Sequence, residues 1–165
     1  MTIKTSRCLT ALVGSALLFS SGAFAEKYTL TVKVTVVEKT CDINSGQPIN
    51  VDMGDLIIKN IDGISYGKTT IPYTLVCDDG VDNPALKLKF DGVGMAGQEA
   101  NVLNTSTKNL GLRLLADSAN LNLATWKNFN YASQPMLSVV PVTSGIGGVG
   151  DGVFTASATL SVEYQ

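Results

Sequence analysis

The chain has 165 residues, 45% hydrophobic and 16% charged, with a formal net charge of −2: ample apolar material for one compact domain, and not the composition of a disordered chain. No basic cluster longer than two residues occurs, so the electrostatic footprint of a nucleic-acid binder is missing. The absence of histidine removes Ser-His and Cys-His nucleophile pairs, histidine acid-base chemistry and nearly all zinc sites.

Residues 1–25 read as a signal peptide. Lys4 and Arg7 supply a positive start, Leu9 to Phe19 an apolar run of eleven residues, and Ala23-Phe24-Ala25 a small-x-small cleavage signal. The run falls short of the roughly 20 residues that cross a bilayer. Processing places Glu26 first in the mature chain and removes Cys8, leaving Cys41 and Cys77 in an oxidising compartment. One disulfide between them is the simple expectation. It closes a loop of 35 intervening residues, which chain-entropy arithmetic values at about 4 kcal/mol. A reactive pair is not favoured, because the spacing is far from Cys-x-x-Cys.

Along the mature chain the dominant period is two. Tyr28, Leu30, Val32, Val34 and Val36 alternate with Thr29, Thr31, Lys33 and Thr35, which predicts a strand with one apolar face. Further strands are expected at Ile49 to Met53, Thr69 to Cys77, Ala85 to Phe90, Leu110 to Leu115, Leu137 to Val142 and Val153 to Tyr164. Turn signals separate them: Asn44-Ser45-Gly46, Asp62-Gly63, Asp78-Asp79-Gly80, Asp91-Gly92 and the glycine-rich run Ser144 to Gly152. Asp117 to Trp126 offers at most one or two helical turns. Short strands at these spacings predict an antiparallel all-β sandwich.

Candidate chemistry along the chain is sparse. Asp78-Asp79-Gly80-Val81-Asp82-Asn83 resembles a calcium loop, but position twelve is Lys89 where a bidentate glutamate is needed, so a solvated turn is expected. Gly145, Gly147, Gly148, Gly150 and Gly152 precede a strand rather than a helix and lack the Lys-Ser or Lys-Thr of a phosphate cradle. No metal, no cofactor and no catalytic residue is proposed, and no spacing singles out a pair of carboxylates. The two ends carry more information. Phe154, Ala156, Ala158, Leu160, Val162 and Tyr164 form one face of the last strand, which ends at Gln165, and the Tyr28 to Val36 strand lies outside the loop that the cysteines close. Such a terminal strand is either a packed edge of its own domain or material for another subunit's sheet. Periodicity alone does not choose.

With these two ends, the sequence resembles the pilins of chaperone-usher fimbriae, most closely the minor tip and adaptor subunits of P-type pili. The stretches that carry the resemblance are Thr40-Cys41-Asp42-Ile43-Asn44-Ser45-Gly46-Gln47 with Val51-Asp52-Met53-Gly54, Leu75-Val76-Cys77, Leu86-Lys87-Leu88-Lys89-Phe90-Asp91-Gly92, Asn101-Val102-Leu103 leading to Leu110-Gly111-Leu112, and Gly152 to Gln165 with tyrosine next to last. The resemblance implies an incomplete immunoglobulin-like β-sandwich lacking its last strand, with an N-terminal donor-strand extension over 26–37 and a pilin domain over 38–165. A periplasmic chaperone would fill the resulting groove first, an outer-membrane usher would follow, and the extension of a neighbouring pilin subunit would then replace the chaperone. The donor face would be Tyr28, Leu30, Val32, Val34 and Val36. The chaperone-binding groove would be lined by Phe154, Ala156, Ala158, Leu160, Val162 and Tyr164, with the carboxylate of Gln165 held by basic chaperone residues. Many such extensions carry glycine seven residues before the first cysteine, where this chain has Val34. The implied protein is a non-enzymatic fimbrial subunit, exported through the periplasm to the cell surface in support of cell adhesion, without a small-molecule substrate. The alternative is a self-complete secreted sandwich that binds a carbohydrate or protein, with Trp126, Phe129 and Tyr131 as an aromatic platform.

Overall fold

The computed structural model describes residues 41–77, 82–145 and 147–165. The leader over 1–25, the 26–37 segment with Tyr28, Leu30, Val32, Val34 and Val36, and the Asp78-Asp79-Gly80 turn lie outside them. Ten strands follow in chain order: β1 (Cys41–Ile43), β2 (Thr69–Thr70), β3 (Leu75–Cys77), β4 (Ala85–Gly92), β5 (Val102–Asn104), β6 (Leu110–Ala116), β7 (Ala119–Asn120), β8 (Lys127–Asn130), β9 (Leu137–Thr143) and β10 (Ala158–Tyr164). Only short 3-10 turns accompany them, so the described chain is all-β.

Two sheets make the sandwich. One has the order β10-β4-β8; the other has the order β2-β9-β6-β5, with β7 also on β6. All of the pairings are antiparallel. Alternation explains how they stack. In β4, Leu86, Leu88 and Phe90 are buried while Lys87, Lys89 and Asp91 point outward. Leu88 and Phe90 join Leu112 and Leu114 of β6 and Leu137 and Val139 of β9 in a single cluster between the sheets. Leu86, Leu88, Leu114 and Leu137 are almost wholly removed from solvent, each contributing about 1.5 to 3 kcal/mol of apolar transfer free energy.

The second sheet is covered on its other side too, which is why β9 is buried along nearly its whole length. The chain between the 3-10 turn Ile58–Asn60 and β2 lies across it: Gly63 sits against Val142, and Gly67 against Leu56 and Pro141. The Arg113 guanidinium donates to the Gly63 carbonyl at 2.6 Å. Asp62 organises the turn itself, accepting the backbone N–H groups of Ile64, Ser65 and Tyr66 and the Ser65 hydroxyl at 2.8–3.0 Å. These donors hold its carboxyl far below the usual carboxylate range. A third element, the β1–β3 ribbon, pairs Cys41 directly with Cys77, and the two are disulfide-bonded as the cysteine count requires.

Several local expectations are corrected. Asp117 to Trp126 contains no helical turn: Asp117 and Ser118 both have positive φ (52° and 68°) and form the two-residue loop of the β6–β7 hairpin. Asp91-Gly92 is not a turn but the end of β4, paired with Thr159 and Ala158. Gly92 is needed there for space, since a Cβ would fall 2.6 Å from Leu103 Cδ1. The expected single strand Thr69 to Cys77 is two, because Pro72 has no N–H to continue a ladder. After Ile71 donates to the Leu137 carbonyl at 2.9 Å, the chain leaves β9 and joins β1. Val153 to Ser157 stays outside the β10 ladder, and Thr155 instead exchanges hydrogen bonds with Ser106. Finally, Ile49 to Met53 belongs to no strand, although its side chains alternate as a strand's do.

Candidate functional site

That last correction defines the site. Ile49, Val51 and Met53 turn inward against the main core while Asn50 and Asp52 face solvent. The segment thus has strand periodicity but no ladder partner among the described residues. Across from it runs β10, an edge strand whose partner among the described residues is β4. Between these two extended segments lies an open groove of about 1250 Å³.

The groove is built from both sheets. Phe154, Ala156, Ala158 and Leu160 form one wall, and Ile49, Val51, Met53 and Leu56 the other. Its floor is the exposed side of the core, including Ile71, Phe90, Leu103 and Leu112. Phe154 and Leu160 are only half-buried and Ala156 and Ala158 are exposed. An apolar face at that level of exposure is the kind of surface that marks an interaction site. Val162 and Tyr164, on the same face of β10, are half-buried; Val162 packs against the main core, and neither lines the groove. Gln165 is fixed beyond β10: its backbone N–H donates to the Ala85 carbonyl at 3.1 Å and its side-chain amide to the Leu86 carbonyl at 2.6 Å.

The outer face of the β10-β4-β8 sheet is polar. Glu163 stands opposite Lys87 in the register and pairs with it at 3.2 Å, and Lys89 pairs with Asp91 at 2.8 Å. Both lysine ammonium groups also lie over the Trp126 ring, 4.8 and 4.9 Å from its centre. Trp126, Phe129 and Tyr131 do not share a platform. Phe129 packs on the main core, and the Tyr131 hydroxyl donates to the Leu75 carbonyl at 3.1 Å. The glycine run before β10 is irregular; Asn109 reaches it, donating to the Gly148 carbonyl at 3.0 Å. Among the described residues no three His, Cys, Asp or Glu side chains gather as a metal-ligand set.

Two parts of the site escaped the sequence reading. The wall at Ile49 to Met53 was expected as an ordinary strand; its alternation was visible, its lack of a partner was not. The floor residues Leu103 and Leu112 carry no signal that separates them from any other core leucine.

Comparison with known proteins agrees with this architecture. The family model described as "Fimbrial protein" matches residues 28–165. The fimbrial-like protein YfcQ of Escherichia coli (strain K12) is 34% identical over 131 residues, covering 76% of this chain and 80% of that protein. The fimbrial adapter PapF of Escherichia coli is 27% identical over 162 residues, covering 91% of this chain and 95% of its own. Among solved structures, the P pilus adaptor subunit PapF superposes with a TM-score of 0.59 at 29% identity, covering 79% of this chain and all of that one. The P pilus rod subunit PapA, at 22% identity and a TM-score of 0.57, shares the fold. The sandwich with its unclosed sheets is therefore the immunoglobulin-like fold of pilin subunits, and this chain belongs to the fimbrial protein family, whose members are structural subunits and not enzymes.

Proposed function

We propose that the chain is a minor structural subunit of a chaperone-usher adhesive fimbria that polymerises by donor-strand exchange. One observation supports the proposal: two extended segments, Ile49 to Met53 and Val153 to Leu160, border one open groove floored by core side chains. A strand laid there would hydrogen-bond along the start of β10, on the side that has no ladder partner among the described residues, and cover Phe154, Ala156, Ala158 and Leu160.

The segment Tyr28 to Val36 has the character of such a strand. Its apolar side chains stand at every second position over nine residues, a length of about 30 Å. The groove wall from Val149 to Leu160 is twelve residues long, or about 40 Å when extended. In this reading residues 1–25 direct export, 26–37 is donated to a neighbour, and 38–165 is the body that receives the next subunit's extension. A periplasmic chaperone occupies the groove first, gripping β10 and the carboxylate of Gln165, and an outer-membrane usher passes the subunit to the cell surface. The similarity to PapF across nearly the whole of both chains supports a minor, adaptor-like place in the fibre.

Deleting Glu26 to Val37 separates donation from self-completion. A donated segment leaves a body that folds on its chaperone, keeps the Cys41–Cys77 bond and fails to join its neighbour. Recovery of neither the chaperone complex nor a folded monomer would count against the proposal.

A further inference from the structure

The apolar walls of the groove suit any alternating strand, but its charges are one-sided. Of the described residues that line it, those carrying charge are Asp52, Asp55 and Asp151, all of them exposed carboxylates. They border it from two sides: Asp52 and Asp55 on the wall that contains Ile49 to Met53, and Asp151 on the segment leading into Phe154. The Asp52 carboxylate is oriented by the Gly54 N–H, which donates to it at 2.9 Å. The ion pairs among the described residues involve other acids, so none of the three is in a described salt bridge, and Lys59 and Lys108, which adjoin the lining residues Ile58 and Thr107 in sequence, do not themselves line the groove. Lys87 and Lys89 lie beyond it, engaged with Glu163, Asp91 and the Trp126 ring on the outer face.

An alternating strand seated in the groove points every second residue inward and presents the others to this rim. We propose that the groove selects, from among pilin extensions, a donor strand that carries lysine or arginine and no carboxylate at these outward positions. The inference rests on the donor-strand reading above and adds the chemistry of the partner. Exposed pairs of this kind add little to final affinity, because water and salt screen them. Their effect falls on encounter: a negative rim concentrates a basic strand and repels an acidic one before any backbone bond forms.

The segment from Lys27 to Val37 of this chain, with Lys27 and Lys33 in phase with Thr29, Thr31 and Thr35 and no acid among them, has that chemistry and serves as the probe. The test uses the full mature protein bound to its chaperone and follows chaperone displacement by two synthetic peptides: residues 27–37, which hold two lysines and no acid, and the same peptide with Lys27→Glu and Lys33→Glu. At about 50 mM salt the lysine peptide is expected to displace the chaperone about 3- to 10-fold faster than the glutamate peptide. The ratio should fall towards one at about 500 mM salt, and in the variant Asp52→Asn, Asp55→Asn, Asp151→Asn, which keeps an acceptor for the Gly54 N–H. Equal rates at low salt, or a ratio unchanged in the triple variant, would overturn the charge selection and leave the groove reading standing. Entry of neither peptide would overturn the charge selection as well, since a strand of the stated chemistry is then refused, while the groove reading is tested separately by crosslinking at Phe154.

Discussion

Leu160 and Thr159 are neighbours on β10 with opposite destinations, and substituting each in turn gives a sharp test of the groove. Leu160 stands opposite Phe90 in the register, half-buried and packed on the main core; Thr159 also borders the groove, but it stands opposite Asp91 and is exposed. With the groove empty, Leu160→Glu places its carboxylate where water still reaches it, and the body should lose little stability. Once a strand covers the position, the substitution forfeits the remaining burial of a leucine already packed on the core, under about 1 kcal/mol, and buries a carboxylate without a partner, which costs several kcal/mol more. A combined penalty of about 4 kcal/mol corresponds to roughly a thousandfold loss of occupancy. Leu160→Ala removes the burial without adding the charge and should fall between Leu160→Glu and the unmodified protein. Thr159→Lys gains an opposite charge across the strand pair at Asp91 and should be neutral within about 0.5 kcal/mol. The assay is co-purification with the chaperone from the periplasm, followed by displacement with a donor-strand peptide. Normal capture of the Leu160→Glu protein, or equal losses at positions 159 and 160, would refute the reasoning.

Replacing Cys41 and Cys77 by serine should lower unfolding stability by about 4 kcal/mol in urea titrations, and mass spectrometry of the unreduced protein should find no free thiol on either cysteine. Gly111→Ala should cost about 1 to 3 kcal/mol in the same assay, because a Cβ there would fall 2.6 Å from Val102 Cγ1 and 2.7 Å from Met95 Sδ. Gly94→Ala, whose nearest neighbours are 3.7 and 3.8 Å away, is its near-neutral control. Asp62 contributes to the pH dependence of stability with a defined sign. Its folded carboxyl is depressed by the Ile64, Ser65 and Tyr66 N–H groups, so its contribution is complete above the unfolded value and is lost as pH falls through the acid range. The stability difference between the unmodified protein and Asp62→Ala should therefore shrink as pH falls below about 4, and a constant difference would contradict the assignment.

What the sequence conveyed, and what it withheld, follow from the range of the interactions involved. β4 was readable from its period of two, and β6 and β9 from short, nearly continuous apolar runs that are buried on both faces. β8 was missed: its four residues Lys-Asn-Phe-Asn bury one aromatic, and their strand character comes from pairing with β4. Gly92 was misread as a turn because a glycine that makes room for Leu103 looks no different in sequence from one that turns the chain. The groove shows the same limit. Alternation at Ile49 to Met53 and at Phe154 to Leu160 records which side chains turn inward, but whether a backbone edge has a partner is a property of the assembled sheets. The resemblance to pilins supplied what periodicity could not.

The central claim is that the space beside Phe154 is filled, in the assembled fibre, by a strand from another subunit. Replacing Phe154, which lines the groove, with its benzoyl photo-crosslinking analogue and illuminating intact fibres reads the occupant directly by peptide mass spectrometry. The account predicts a crosslink to the alternating N-terminal extension of a neighbouring pilin. A crosslink to residues 26–37 that stays within a single subunit's mass on a denaturing gel, or a crosslink to no extended segment at all, would contradict it.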